Sequence, residues 1–430
     1  MNILGINCFS HDTSAALLKD GTLLAFAEEE RFNREKHTRQ FPHQAIEFCL
    51  KKGSLSINDV EYVAFPFIPI KDLQRGFTDF IRNPRSFLRF AGQINFDYQL
   101  NKKMRKFKNK YNFENHIVFV GHHEAHSAAS FYCSPFKEAA LLSIDRGGDY
   151  ISTFLGVGKG NEITTVREIK NPHSLGSFYS SITNFLGFKP NGGEGKVMGL
   201  APYGKPTFYN DFKKMIKLEE NGFKIDLRYF TYHLKGGYGV SKRFKKKFGL
   251  ARLPDSDITR WDEDIAWSLQ KVTEDVAIHL ANYLYKKTKL DYLCLSGGLA
   301  LNGVMNHAIR KNTPFKDIFI QPAANDGGTS IGAAHYVRHV LLKKPRKESF
   351  DHCYLGPACD DADIKKSFEG RNLKRSELAN PAKKVAELLK ERKIIGWFQG
   401  GMEGGPSTLG NRSILGDARS KDTQTVMNLK

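Results

Sequence analysis

Nowhere in its 430 residues does the chain hold an apolar run near the roughly 18 to 20 residues that cross a bilayer. No membrane-spanning segment and no membrane partner is therefore expected. The start, Met1-Asn-Ile-Leu-Gly-Ile, lacks a charged stretch followed by an apolar one and reads as a strand rather than a secretory leader. The six cysteines, Cys8, Cys49, Cys133, Cys294, Cys353 and Cys359, show no C-x-x-C spacing, and Cys8 and Cys294 sit in apolar, strand-like runs. A reduced cytoplasmic setting fits best. Acidic charge is also short: 65 Lys+Arg face 46 Asp+Glu, a net charge of +19. Three runs without any acid carry 15 of those charges: six in Lys102 to Lys110, five in Lys242 to Lys247 and four in Lys343 to Lys347. Basicity this local argues against a protein coated evenly for nucleic acid, which is not expected as a partner. A composition of 40% hydrophobic and 26% charged residues excludes wholesale disorder and fibrous low complexity. Length alone suggests two or three domains.

What is present begins with three short strands, Asn2 to Cys8, Ser14 to Leu18 and Thr22 to Glu28, joined by turns at His11-Asp12 and Asp20-Gly21. A similar meander returns at Ala139 to Asp145, Ile151 to Val157 and Ile163 to Ile169, with turns expected at Gly147-Gly148-Asp149 and Gly158 to Gly160. The repeat suggests an internal duplication. A helix after Phe41-Pro42 and strands at Val60 to Phe65 and His116 to Val120 follow the first copy. After the second, a long helix over Trp261 to Lys287, strands at Tyr292 to Leu295 and Asp317 to Gln321, and a helix from about Ile331 make an α/β alternation. Alternation of this kind implies a mostly parallel sheet with ligands bound at the strands' carboxyl ends. Residues 343–349 read as a charged, Pro-containing linker. From Phe350 the expectation is one helix, Pro381 to Arg392, the strand Ile394 to Phe398, and a Gly-Asn-Arg-Ser turn, which is thin for a domain.

Chemistry concentrates in a few places. His122-His-Glu-Ala-His126 follows a strand and puts His122 and His126 at i,i+4 on one helical face, a spacing that suits two imidazoles on one metal. It is one residue short of a protease H-E-x-x-H. Asp145, ending a strand, and Asp326, in Ala323-Ala-Asn-Asp-Gly-Gly-Thr, are the carboxylates that would complete a set of two His and two Asp. Each taken alone is more often a turn residue or helix N-cap than a ligand. A mixed nitrogen and oxygen set suits Fe, Mn or Zn rather than Ca. The loops Ser296-Gly297-Gly298 and Asp326-Gly327-Gly328-Thr329 each lie between a strand and a helix, where bare backbone N–H groups can cradle phosphate. Gly195-Lys196 is followed by Val197, so a P-loop is rejected. His11 with Asp12, and Lys36 with His37, form polar clusters at the edge of the first meander.

Six segments in order resemble one family: Ser10-His-Asp-Thr-Ser-Ala-Ala; Glu28-Glu-Glu-Arg-Phe with Lys36-His37 and Phe41-Pro42; His122 to His126; Gly195-Lys-Val-Met-Gly-Leu-Ala-Pro-Tyr-Gly204; Ser296-Gly-Gly-Leu-Ala-Leu-Asn302; and Gly405-Pro406 through Leu409-Gly-Asn-Arg-Ser-Ile414. The family is that of the O-carbamoyltransferases of nodulation-factor and antibiotic (cephamycin and tobramycin type) biosynthesis. The resemblance implies an α/β protein with a duplicated actin-like, ribonuclease-H-type domain over 1–342, related to the tRNA threonylcarbamoyl transferases. Residues 350–430 would be the incomplete beginning of a YrdC-like domain that makes carbamoyl adenylate from carbamoyl phosphate and ATP. The first domain would pass the carbamoyl group to a hydroxyl of a small-molecule acceptor. The implied metal ligands are His122, His126, Asp145 and Asp326, with Fe(II) as the metal. His11 and Lys36 would lie beside the carbamoyl group as base and oxyanion donor. Gly297, Gly298, Asn302, Gly327 and Gly328 would bind the nucleotide, and Asn411 and Arg412 the carbamoyl phosphate or its adenylate. Three positions depart from the family: Arg146 stands where it has glycine after the aspartate, and Gly401 and Ser407 replace two arginines that would grip phosphate. Two alternatives remain open at this stage, a tRNA threonylcarbamoyl transferase-like enzyme and a nucleotide- and metal-binding fragment that cannot activate the carbamoyl group. The acceptor and the oligomeric state are not legible; the acceptor pocket is expected from about Lys71 to Lys110 and Phe208 to Asp255.

Overall fold

The computed structural model describes residues 1–430 except 9, 10, 70, 348, 349, 421, 424, 425 and 428–430, so Ser10 of the first motif and the end of the expected linker lie outside the described residues. The chain separates into two compact units, Met1–Phe350 and Asp351–Lys430.

In the first unit, β1 (Asn2–Asn7), β2 (Ser14–Lys19) and β3 (Thr22–Glu28) form the expected meander. After α1 (His43–Gly53), β4 (Tyr62–Phe65) adds parallel to β1; α2 (Lys71–Arg82) and α3 (Phe87–Tyr111) intervene before β5 (His116–Phe119), which adds parallel to β4. The sheet order is β3-β2-β1-β4-β5. The helix α4 (His122–Cys133) closes this half. The second half repeats the plan. Antiparallel β6 (Glu138–Gly148), β7 (Ile151–Lys159) and β8 (Glu162–Lys170) are followed by α5 (Leu175–Phe185), a small hairpin of β9 (Ile216–Glu219) and β10 (Gly222–Ile225), and the long α6 (Arg260–Thr288). Strands β11 (Tyr292–Ser296) and β12 (Asp317–Ile320), with α7 (Gly303–Asn312) between them, then extend the sheet on the far side of β6 in parallel, giving β12-β11-β6-β7-β8. The helix α8 (Thr329–Tyr336) ends it. Two sheets with identical strand order and direction are the duplicated ribonuclease-H-type, actin-like architecture.

The local sequence explains why these strands are central. β1 is buried on both faces: Leu4 and Ile6 enter one core with α1, while Ile3 meets Ala333 and Ala334 from α8, and Val337 just after it, on the other. A strand covered twice reads as an unbroken apolar run. The terminal helices are exchanged between the halves. α4 follows the first sheet but packs on β6 and β11 of the second, whereas α8 follows the second sheet and packs on β1, β2 and β4 of the first. They also pack on each other through bare backbone. A Cβ on Gly332 would stand 1.7 Å from the Ala125 carbonyl oxygen, and one on Gly5 of β1 would stand 1.8 Å from that of Ser330.

Two expectations need correction. The second meander's turn falls on Asp149-Tyr150, both left-handed at φ 52° and 69°, because β6 runs on through Gly147 and Gly148. Asp149 holds this conformation without glycine because its carboxylate accepts from the N–H groups of His122 (2.7 Å) and Ile68 (3.1 Å). In the second unit, after α9 (Asp361–Ser367), α10 (Pro381–Lys390) and β13 (Ile395–Phe398), the Gly-Asn-Arg-Ser segment enters a strand, β14 (Arg412–Leu415), antiparallel to β13. The buried Glu403 makes this possible: its Oε1 accepts from the N–H groups of Leu409, Asn411 and Arg412, gathering the loop into the strand.

Where α4 and α8 cross lies a group of basic and aromatic side chains. His335 and His339 are buried and stacked at 5.5 Å, Tyr132 lies 4.5 Å from the His339 ring, and the Arg346 guanidinium donates to the carbonyls of Phe131, Ser134 and Phe136. Burial, opposed by a hydrogen bond to the Lys344 carbonyl and reinforced by Arg338 and Arg346, pushes the His339 pKa down to about 4. Its unfolded value is near 6.5, so the unfolded chain takes up a proton first as pH falls. The stabilising contribution is full above pH 6.5 and disappears between there and pH 4. Thermal unfolding midpoints should therefore fall between pH 7.5 and 5, and His339→Gln should flatten that fall. Separately, Gly332→Ala should cost about 1–3 kcal/mol by forcing α4 and α8 apart. Gly92→Ala, with open space around its Cβ on α3, should stabilise by up to about 1 kcal/mol. Calorimetric unfolding of the two variants checks the contrast.

Candidate active site

Four of the expected residues converge although they come from both halves. His122 and His126 project from the first two turns of α4, Asp145 from β6, and Asp326 from a single 3₁₀ turn just ahead of α8. His122, His126 and Asp145 are buried, and the Asp326 side chain is only 13% exposed. His122 Nε2 lies 3.2 Å from Asp145 Oδ2 and 3.7 Å from Asp326 Oδ1; His126 Nε2 lies 3.5 and 3.6 Å from the same oxygens and 3.2 Å from His122 Nε2. One donor atom from each lies within 4.8 Å of the others. Donors about 2.0–2.2 Å from a shared ion sit roughly 3.0–3.6 Å apart, so the cluster has the spacing of a coordination sphere. Its charge fits as well, since two carboxylates balance a divalent cation.

Surrounding groups fix the donors. His123, between His122 and His126, turns the other way: Nδ1 meets the Ser143 hydroxyl at 2.9 Å and Nε2 the Ile151 carbonyl at 3.0 Å. Burial, with the fields of His122 and His126, pushes its pKa down to about 3. The Gly298 N–H reaches Asp145 Oδ1 at 3.3 Å, and Asn7 Nδ2 donates to the Asp326 carbonyl at 3.0 Å. At His122, burial opposes charge, but the Asp145 hydrogen bond and the Asp326 field prevail and raise its pKa to about 9. Asp145 shows the converse: burial acts to raise its pKa, yet His122 and His126 hold it well below the usual range.

A second cluster abuts the first. The Asp12 carboxylate takes His11 Nδ1 on Oδ2 at 2.8 Å and His37 Nδ1 on Oδ1 at 2.7 Å, and Asn325 Nδ2 also donates to Oδ2 at 2.9 Å. Asn7 Nδ2 bonds the Asp12 carbonyl as well as that of Asp326, so one amide ties the two clusters together. Although burial disfavours the Asp12 anion, His11 and His37 hold its pKa far below the ordinary carboxylate value. The His37 pKa is raised in turn, chiefly by its hydrogen bond to Asp12. Lys36 is not brought in: its side chain is exposed, and its neighbour His37 occupies the second place at Asp12.

The glycine loops flank the first cluster. Gly297 is left-handed (φ 83°), and a Cβ there would stand 2.3 Å from the Ile144 carbonyl oxygen; at Gly328 the same atom would stand 1.9 Å from that of Ala323. Gly327 lies against Glu28, and Asn302 caps α7 while exchanging hydrogen bonds with Gln270. Close packing alone thus accounts for Gly297 and Gly328. Arg146 points to Tyr238, bonding its hydroxyl at 2.9 Å with the guanidinium 4.5 Å from the ring centre. In the second unit, Asn411 donates to the Gly401 carbonyl, and Arg412 donates to the carbonyls of Gln399, Gly400 and Asn411 over the face of Phe398. Asn7, Asn325 and Asp149 join the candidate site only in the folded chain. Asn325 adjoins Asp326 and so carried a faint signal; Asn7 and Asp149 are recognisable only through partners far away in the chain.

The Carbamoyltransferase N-terminus profile matches residues 2–335, and the Carbamoyltransferase C-terminus profile matches residues 386–430. An uncharacterized protein of Synechocystis, sll1178, is 38% identical over the whole of this chain and 73% of its own length. The nodulation protein NolNO of Sinorhizobium fredii is 30% identical over 98% of this chain, and NolO of Bradyrhizobium diazoefficiens 32% identical over 72% of it. The matches span 60% and 55% of those nodulation proteins. Among solved structures, component A of the (R)-2-hydroxyglutaryl-CoA dehydratase of Acidaminococcus fermentans aligns with 78% of this chain and 97% of its own, at 13% identity and a TM-score of 0.42. With a family profile covering both halves of the duplicated domain and a second one beginning within α10, the chain belongs to the carbamoyltransferase family of enzymes.

Proposed function

We propose that the chain moves a carbamoyl group to a hydroxyl of a small-molecule acceptor, the group having been drawn from carbamoyl phosphate and activated with ATP as carbamoyl adenylate. The observation that supports this best is the linkage of a buried four-donor cluster to the His11–Asp12–His37 cluster through Asn7 and Asn325. His122, His126, Asp145 and Asp326 would hold a divalent cation, with Fe(II) the metal expected from the family. When bound, such a cation supplies a Lewis acid for a carbonyl or phosphate oxygen.

The remaining roles fall to the chain's own groups. Asp12, accepting from His11 Nδ1, fixes that ring and selects the tautomer whose Nε2 takes the proton of the acceptor hydroxyl. His37, held through its own Nδ1 on the other Asp12 oxygen, supplies positive charge for the oxyanion of the tetrahedral carbon. Lys36, exposed beside it, contributes less. The two glycine loops adjoin the four-donor cluster, Gly298 through its bond to Asp145 and Gly327 as the residue after Asp326, so phosphate bound on either lies beside the cation's place. In the second unit, read as YrdC-like, Asn411 and Arg412 shape the loop that would receive carbamoyl phosphate, with most of their donors engaged by carbonyls.

Donor activation and transfer are separable, and the test uses that. The purified chain, assayed for metal content, should transfer from supplied carbamoyl adenylate, and His122→Ala and Asp326→Ala should lose both metal and transfer. Variants that keep both would refute the metal site. Incorporation of labelled pyrophosphate into ATP in the presence of carbamoyl phosphate reads the activation half by itself.

The geometry around Asp12 also ranks two neighbours. His37→Gln should lower kcat/KM for transfer by about 10²-fold, and Lys36→Gln by less than about tenfold. The reverse order, measured under single-turnover conditions, would return the oxyanion role to Lys36.

A further inference from the structure

The segment from about Lys71 to Lys110, expected to shape the acceptor pocket, lies in a helical hairpin of α2 and α3 with an unusual outer surface. Its helices meet through an aromatic cluster in which Phe80 stacks on Phe90 at 5.5 Å, with Phe77 and Phe87 each within 6 Å of one of them. The inward side of α3 is set by Asp97, Leu100 and Phe107, all buried. Helical spacing places Phe87, Ile94 and Tyr98, then Lys102 and Arg105, along the opposite side, with Leu88 flanking them. Phe87, Leu88 and Tyr98 are 55%, 58% and 63% exposed. On α2, one turn apart, Phe77 and Ile81 are also exposed. The outer side of α3 is therefore apolar along its first three turns and basic thereafter.

Charge on the hairpin is similarly sorted. Residues 71–111 contain eleven Lys and Arg but only three acids, Asp72, Asp79 and Asp97. Asp97 is buried, Asp79 accepts the Tyr150 hydroxyl at 2.5 Å, and Asp72 is held partly buried; none lies on the outer stripe of α3. A bare polyanion would account for the lysines and leave Phe87, Leu88 and Ile94 in water. An apolar partner would account for those and leave the cations unmatched. An anionic bilayer surface satisfies both, taking apolar side chains among the acyl chains and cations among the headgroups.

We propose that this hairpin docks the protein on an anionic lipid surface. No described helix is long and apolar enough to cross a membrane, so the contact is peripheral. It would also be close to the chemistry. Ile68, just ahead of α2, donates to the same Asp149 carboxylate that accepts the His122 N–H, and Tyr150 of that turn bonds Asp79 on α2. A hairpin seated on lipid would hold the four-donor cluster near the interface, in reach of a hydroxyl carried by an amphiphile. The docking itself does not depend on the reaction proposed above.

The test is co-sedimentation of the full chain with vesicles of phosphatidylcholine alone and with roughly a third phosphatidylglycerol. Binding is expected on the anionic vesicles and should weaken several-fold as salt rises from about 50 to about 300 mM. Leu88→Ser/Ile94→Ser and Lys102→Glu/Arg105→Glu should each reduce binding about tenfold or more while leaving circular dichroism and the unfolding midpoint unchanged, since all four side chains are exposed. Three results would overturn the proposal: no binding to anionic vesicles, binding that both double variants retain, or a dimer in sedimentation equilibrium that Leu88→Ser dissociates, which would assign the face to a second copy.

Discussion

The site exists because two helices touch backbone to backbone. α4 brings His122 and His126, and α8 follows directly on Asp326, so the distance between these helices sets the distance between donors. Gly332 against the Ala125 carbonyl allows an approach of the two helices that no side chain would permit, and Gly5 of β1 against that of Ser330 seats α8 on the first sheet in the same way. Van der Waals contact at such separations is stiff, and stiffness is what a four-donor cluster needs to keep its 3.2–3.7 Å spacings. Gly328 does the same for the loop that leads into α8, and Gly297 lets the loop after β11 pass against the Ile144 carbonyl, next to Asp145.

Charge is arranged on top of this frame. Two buried carboxylates, Asp12 and Asp145, and the nearly buried Asp326 stand within a region that also buries His122 and His126 and half-buries His11 and His37. Buried anions persist only when they are paired or coordinated. Each of these is met by imidazole, and Asp12 additionally by the Asn325 amide. The outcome is a polar region that is costly to assemble partly and stable when complete.

Much of this was legible in the sequence, for local reasons. Apolar runs at 2–8, 14–18 and 292–295 mark strands because burial on both faces removes the need for alternation, and the i,i+4 histidines mark a helix face. Gly147-Gly148 misled because glycine is the usual left-handed turn residue, whereas here Asp149 earns the turn through bonds to residues 68 and 122. Lys36 and His37 are adjacent and equally prominent in the sequence, and only the folded chain shows that it is His37 that faces Asp12. Asn7 and Asn325 were hidden for the same cause. Asn325 and Asp12 are 313 positions apart, and no periodic pattern records such a pair.

The exchange of terminal helices between the halves has a broader meaning. Each sheet is capped by a helix that the other half's chain provides. Neither half is then a self-sufficient folding unit: cut after Cys133, the first would lack the cover that α8 lays over β1, β2 and β4, and the second would leave β6 and β11 bare. Because both helices belong to one chain, the cover of each sheet is supplied at a fixed ratio, and the two need not be alike: one carries His122 and His126 while the other follows Asp326.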